Sequence, residues 1–278
     1  MKKDRSLHLI WAMFLVFCIL FCINIAVSGE HATNIAWMLL ELWVLIIDII
    51  ILIRYGFPSV RAMVISLALG LTAALTYVDA LVLTGRYDAG IVSLLVTFNL
   101  TLLSGIAAAT VFRSRPDLRL RVVYGYRCRD VILSIIIGLL TGIVYGTINC
   151  LLMLGSGKPN LHITVHCFLM SLSPAIFEEL AMRTVFYVFC IALFREGTMS
   201  RFKKFTCWFM MIMPHVMIHT PTAFQQNGII SGMISIVIYV VIFGSTFAIL
   251  QKKRDIFSAM LAHGTVDLIR FCLYGLPL

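Results

Sequence analysis

The chain has 278 residues, of which 61% are hydrophobic and 13% charged. That charged fraction is about half of what a soluble globular chain carries, so a soluble enzyme on a single anchor, a disordered chain and a fibrous chain are excluded. The formal charge of +9, from 22 Lys+Arg against 13 Asp+Glu, would suggest nucleic acid as a partner for a soluble protein. In a chain this apolar it reads instead as the basic bias of cytoplasmic loops, with a lipid bilayer as the surrounding partner and no nucleic acid.

Apolar segments follow one another at roughly 8–27, 36–53, 62–83, 89–112, 130–155, 161–194, 205–221, 227–250 and 256–276. Their continuity excludes a membrane β-barrel, whose strands alternate polar and apolar residues. The expected fold is all-α, a polytopic transmembrane helical bundle of about eight or nine spans. The first run follows Lys2, Lys3 and Arg5 but ends in Asn24-Ile25-Ala26-Val27-Ser28, a weak cleavage site, so it reads as a retained span.

Basic residues test the map. With the N-terminus placed inside, the inner loops hold Lys2, Lys3, Arg5, Arg54, Arg61, Arg113, Arg115, Arg119, Arg121, Arg127, Arg129, Arg195, Arg201, Lys203, Lys204, Lys252, Lys253 and Arg254. The outer loops hold only Arg86 and Lys158, and Arg183 and Arg270 fall within spans. This asymmetry predicts an integral, multi-pass membrane protein with a cytoplasmic N-terminus. Residues 1–112 form an N-terminal four-span region, 113–129 a basic cytoplasmic loop, and 130–278 a second membrane region. The segment 161–194 is too long for one simple crossing, and Ser173-Pro174 offers a break. Proline suits the first turn of a helix and serine the cap before it. The segment therefore reads as a partial or re-entrant piece over 161–172 and a helix over 174–194.

Eight cysteines show no C-x-x-C pair and no regular spacing. Cys128 lies in the basic loop, and the others read as small apolar residues rather than a disulfide framework.

An ionisable group at membrane depth needs a reason. Glu41 and Asp48 share a helix face, and Asp79 lies in the third span; hydrogen-bonded carboxyl groups suffice to explain them. His162 and His166 have the i, i+4 spacing of metal ligands but no clear third ligand. Three helices of the second region differ. Phe177-Glu178-Glu179-Leu180-Ala181-Met182-Arg183 places Glu179 and Arg183 at i, i+4, where they can pair, which makes Glu178 the carboxylate not neutralised by its own helix. Pro214-His215-Val216-Met217-Ile218-His219-Thr220-Pro221 carries two histidines on one face. In His263-Gly264-Thr265-Val266-Asp267 a carboxylate is placed to orient an imidazole. Each group taken singly has a structural explanation; the three together point to a site.

At these residues the chain resembles the CAAX protease and bacteriocin-processing (CPBP) intramembrane peptidases, including those like the type II CAAX prenyl proteases. That family carries Glu-Glu-x-x-x-Arg, Phe-x-x-x-His and His-x-x-x-Asn/Asp on successive helices. The first is met by Glu178, Glu179 and Arg183, the third by His263 and Asp267, and the likeness covers roughly 130–276. The second departs: His215 stands four before His219, and Met211 four before His215. The proline at 221 favours His219, with His215 as the alternative.

The resemblance implies an endopeptidase acting on a membrane-associated protein or peptide. Glu178 would activate water, His219 and His263 would hold the water or the oxyanion, Asp267 would orient His263, and Glu179 and Arg183 would set the helix. No cofactor is favoured, although Glu178, His219 and His263 could together hold zinc. The alternatives are a catalytically inactive member acting as a membrane scaffold, immunity or regulatory factor, and a transporter with a polar cavity.

Overall fold

The structure, a computed structural model, describes residues 5–84, 87–125, 127–194 and 199–276. Among them the chain is predominantly helical, with no strand. The helices are α1 (Arg5–Val27), α2 (Ala32–Tyr55), α3 (Val60–Thr84), α4 (Tyr87–Ser114), α5 (Cys128–Leu152), α6 (Val165–Met170), α7 (Val185–Leu193), α8 (Arg201–Ile218), α9 (Pro221–Tyr239), α10 (Ser245–Lys253) and α11 (Ile256–Tyr274). π-helical turns occupy Pro174–Glu178, Leu180–Thr184 and Val240–Gly244. The protein is an all-α, polytopic membrane protein.

Among the described residues, seven helical runs are long and apolar enough to cross a membrane. Two further expected runs do not meet that measure of length and composition, for local reasons. The stretch 165–193 is divided by a turn and π segments, and α8 carries Arg201, Lys203, Lys204, Pro214 and His215. Lys2, Lys3, Arg86 and Arg195, used in assigning sides, lie outside the described residues, as does the side chain of Asp79.

The chain forms two compact units. One unit comprises 1–57, 107–118 and 182–248; the other comprises 58–106, 119–181 and 249–278.

In the first unit, α2 packs against α1, α7, α8 and α9. The apolar stripe Ile10, Phe14, Phe17 and Phe21 of α1 is buried at the helical period, as is Leu40, Val44, Ile47 and Ile51 of α2. Trp11, Phe14 and Phe209 form a ring cluster with centroids 4.8 to 6.1 Å apart. Asp48 is buried on the core face of α2, and Glu41 is half-buried. Gly228 interrupts α9 with φ +80°, a conformation that favours glycine.

In the second unit, α5 and α11 form the most intimate pair. Ser134, Gly138, Gly142, Gly146 and Cys150 recur every four residues and are all buried. A Cβ on Gly142 would stand 2.4 Å from the Thr265 Cβ and 2.8 Å from the Ala262 carbonyl oxygen. Small residues at this spacing let two membrane helices approach closely. The stripe thus fixes the face that α11 turns away from α5.

Asp255 secures the other end of that arrangement. It caps α11 by accepting from the Ser258 N–H at 2.6 Å, and it also accepts from the Tyr124 N–H at 2.8 Å and the Ser134 hydroxyl at 2.5 Å. Arg254 lies beside it at 3.6 Å and stacks on the Tyr124 ring. A buried carboxylate is stable only when engaged in this way.

The break in the long segment lies earlier than Ser173-Pro174. Thr164 is the N-cap of α6, its side chain accepting from the Cys167 N–H at 3.3 Å. Ser173 has helical φ and ψ and makes no side-chain cap. The turn at Ser171 frees backbone groups instead, and Thr76 of α3 bridges them: its hydroxyl donates to the Leu169 carbonyl at 2.8 Å and accepts from the Ser173 N–H at 2.9 Å. Within a bilayer such groups need a protein partner. Because α6 starts at Val165, His162 precedes the helix and shares no helical face with His166; it lies 2.9 Å from the Asn160 side-chain amide.

Candidate functional site

The second unit gathers four of the predicted site residues. Glu178 ends one π turn, Glu179 follows it, and a second π turn begins at Leu180. The i→i+5 bonding of a π-helix widens the turn and moves side chains off the α-helical register, and such turns are frequent at functional sites. On α11, Gly264 lies against the π segment, where a Cβ would come within 2.8 Å of the Ala175 Cβ. That close approach sets His263 beside the glutamates.

His263 is the centre of the group. Its Nδ1 lies 2.7 Å from Glu179 Oε1, and its Nε2 lies 3.7 Å from Glu178 Oε2 and 3.5 Å from Asp267 Oδ2. With Glu179 as acceptor, Nδ1 carries the proton and the ring is fixed with Nε2 facing the other two carboxylates. Asp267 in turn lies 3.8 Å from Arg270. Glu178, Glu179, His263 and Asp267 are all buried.

Glu179 has a partner that sequence reasoning missed. Gln251, only 1% exposed, donates from Nε2 to Glu179 Oε2 at 2.8 Å and to the Glu179 carbonyl at 3.1 Å. Its signal in the sequence is an amide closing a long apolar run, beside Lys252 and Lys253. The Gly-x-x-x-Gly-x-x-x-Gly pattern on α5 is a second signal legible in the sequence.

The first unit holds the remaining predicted residues. His219 follows the last turn of α8 and is exposed; His215 is buried within that helix. Their Nε2 atoms are 3.2 Å apart, and the rings meet edge to face at 4.8 Å. Trp37 flanks His219 at 5.2 Å. The two histidines are thus within hydrogen-bonding distance of one another. Arg183 is buried, with its Nη1 donating to the Gly244 carbonyl at 3.4 Å and its guanidinium 5.4 Å from the Phe247 ring centre.

Chemically, the group around His263 offers a carboxylate, a ring nitrogen and a second carboxylate at separations that suit relay of a proton or retention of a water. The Nε2 atoms of His215 and His219 are a potential pair of metal donors. The chain matches no protein-family model, no curated protein and no solved structure.

Proposed function

We propose that the protein is an intramembrane endopeptidase that hydrolyses a peptide bond in a membrane-associated protein or peptide. The observation that carries this reading is the buried arrangement of Glu178, Glu179, His263 and Asp267, with one imidazole held by Glu179 and turned toward Glu178. The resemblance of the Glu-Glu-x-x-x-Arg and His-x-x-x-Asp patterns to CPBP peptidases supports it.

In this reading Glu178 takes a proton from water as the water attacks the scissile carbonyl, and returns it to the leaving amine as the C–N bond breaks. His263, oriented from Nδ1, presents Nε2 to accept a hydrogen bond from the water. His219, backed by His215, supplies the second histidine. Glu179 and Gln251 hold the imidazole, and Arg183 fixes the helix that follows the glutamates. The proposed mechanism needs no metal. If zinc is bound, Glu178, His219 and His263 are the expected ligands, and the ion would polarise the carbonyl and activate the water. We place the N-terminus and the 113–129 loop in the cytoplasm on the strength of the basic residues.

The test is a comparison of peptide termini in membranes from cells making the wild-type protein or Glu178→Gln. The reading expects a set of new termini present only with the wild type. Identical termini in both, with both proteins folded at equal levels, would overturn it.

A further inference from the structure

The second unit brings two cysteines together that are 105 positions apart in sequence. Cys167 in the first turn of α6 and Cys272 in the last turn of α11 pack in one core cluster with Met170 and Phe271. Both are buried and present as free thiols in this structure. His162 bridges the two segments: its N–H donates to the Cys272 carbonyl at 2.7 Å, and its carbonyl accepts from the Cys167 thiol at 3.4 Å. The Asn160 N–H donates to the Leu273 carbonyl at 2.8 Å and continues the pairing.

The first unit contains a second such pair. Cys190 of α7 and Cys207 of α8, on two helices that pack together, are also buried free thiols. The two pairs differ in the charge of the nearest chain ends. Cys190 and Cys207 flank the basic connection containing Arg195, Arg201, Lys203 and Lys204. Cys272 lies at the end of α11 remote from Lys252, Lys253 and Arg254, and Cys167 follows a connection whose one basic residue is Lys158. On the orientation proposed above, the first pair faces the cytoplasm, where thiols are kept reduced. The second faces the outer side, where disulfides persist.

We propose that Cys167 and Cys272 are joined by a disulfide that ties the start of α6 to the end of α11 on the outer side of the membrane, while Cys190 and Cys207 remain thiols. The bond forms by exchange with a protein disulfide of the outer compartment. One cysteine, as thiolate, attacks a donor sulfur, and the second displaces the resulting mixed disulfide. The two cysteines lose two protons and two electrons, and the donor disulfide becomes a dithiol. The bond would hold the helix bearing His263 against the segment leading to Glu178. The inference rests on the proposed orientation and not on peptidase activity.

The experiment is differential alkylation of the full-length protein in native membranes. Membranes are denatured in N-ethylmaleimide, reduced, alkylated with iodoacetamide, and the peptides weighed. The expected result is iodoacetamide on Cys167 and Cys272 and maleimide on Cys190 and Cys207, with Cys272 moving to maleimide in Cys167→Ser. Maleimide on Cys167 and Cys272 in the wild type would overturn the proposal. Should Cys190 and Cys207 alone carry iodoacetamide, the orientation it rests on would fail with it.

Discussion

The His263 imidazole meets Glu179, 84 positions away in sequence, at 2.7 Å, whereas Asp267, one turn along the same helix, stands 3.5 Å off. Glu179 is therefore the residue that holds the ring, and Asp267 is the looser neighbour. Substituting Glu179 by Gln keeps the shape but replaces a charged acceptor, and should lower the proposed activity by about tenfold or more. Asp267→Asn should cost less. Turnover of a cleaved reporter by the two folded variants checks the order.

Gln251 should matter for stability. Gln251→Leu removes both of its hydrogen bonds and leaves a buried Glu179 oxygen without that donor, which should cost about 1–3 kcal/mol. Thermal unfolding in detergent would show it as a lowered midpoint; an unchanged midpoint would contradict the role given to the amide.

The glycine stripe predicts a steric effect. Gly142→Ala places a Cβ 2.4 Å from Thr265 and 2.8 Å from the Ala262 carbonyl oxygen, so α11 must shift. Overpacking of this kind costs about 1–3 kcal/mol. Gly155→Ala is the control, since a Cβ there meets nothing within 4 Å. Equal melting of the two variants would argue against close α5–α11 packing.

Several features of the fold were legible because they depend on composition and one-dimensional periodicity. The continuous apolar runs specified membrane helices, and the stripes on α1 and α2 are buried as their spacing requires. The two halves of the glutamate–histidine group were legible as residue types. Their mutual geometry was not, because π turns around Glu179 change the register that an α-helical count assumes. The turn at Ser171 was not legible because the groups freed there are satisfied by Thr76, a residue far away in sequence. The assignment of Ser173 as a cap used only local rules. His162 and His166 failed as a pair for the same reason: their spacing has meaning only once the helix start is known.

Orientation is tested at Cys128, which is exposed at the start of α5. A membrane-impermeant maleimide should leave it unlabelled in intact cells and label it in inside-out vesicles. Ready labelling from outside would reverse the assigned sides.

Metal dependence separates the two forms of the mechanism. In the metal-free form, chelators leave the purified protein active, and His219→Ala lowers activity by about 100-fold or more, the loss expected of an acid–base or oxyanion group. His215→Ala should also be impaired, because the two Nε2 atoms are 3.2 Å apart. Stoichiometric zinc that disappears in His219→Ala would replace this form with the zinc form.

Hydrolysis by a Glu178-activated water is tested most directly by oxygen labelling of the product. Purified protein in lipid vesicles is given a peptide spanning a Glu178-dependent cleavage site, in water enriched in oxygen-18. The account predicts one heavy oxygen in the newly formed C-terminal carboxyl with the wild type and no cleavage above background with Glu178→Gln. Cleavage at the wild-type rate by folded Glu178→Gln would contradict it.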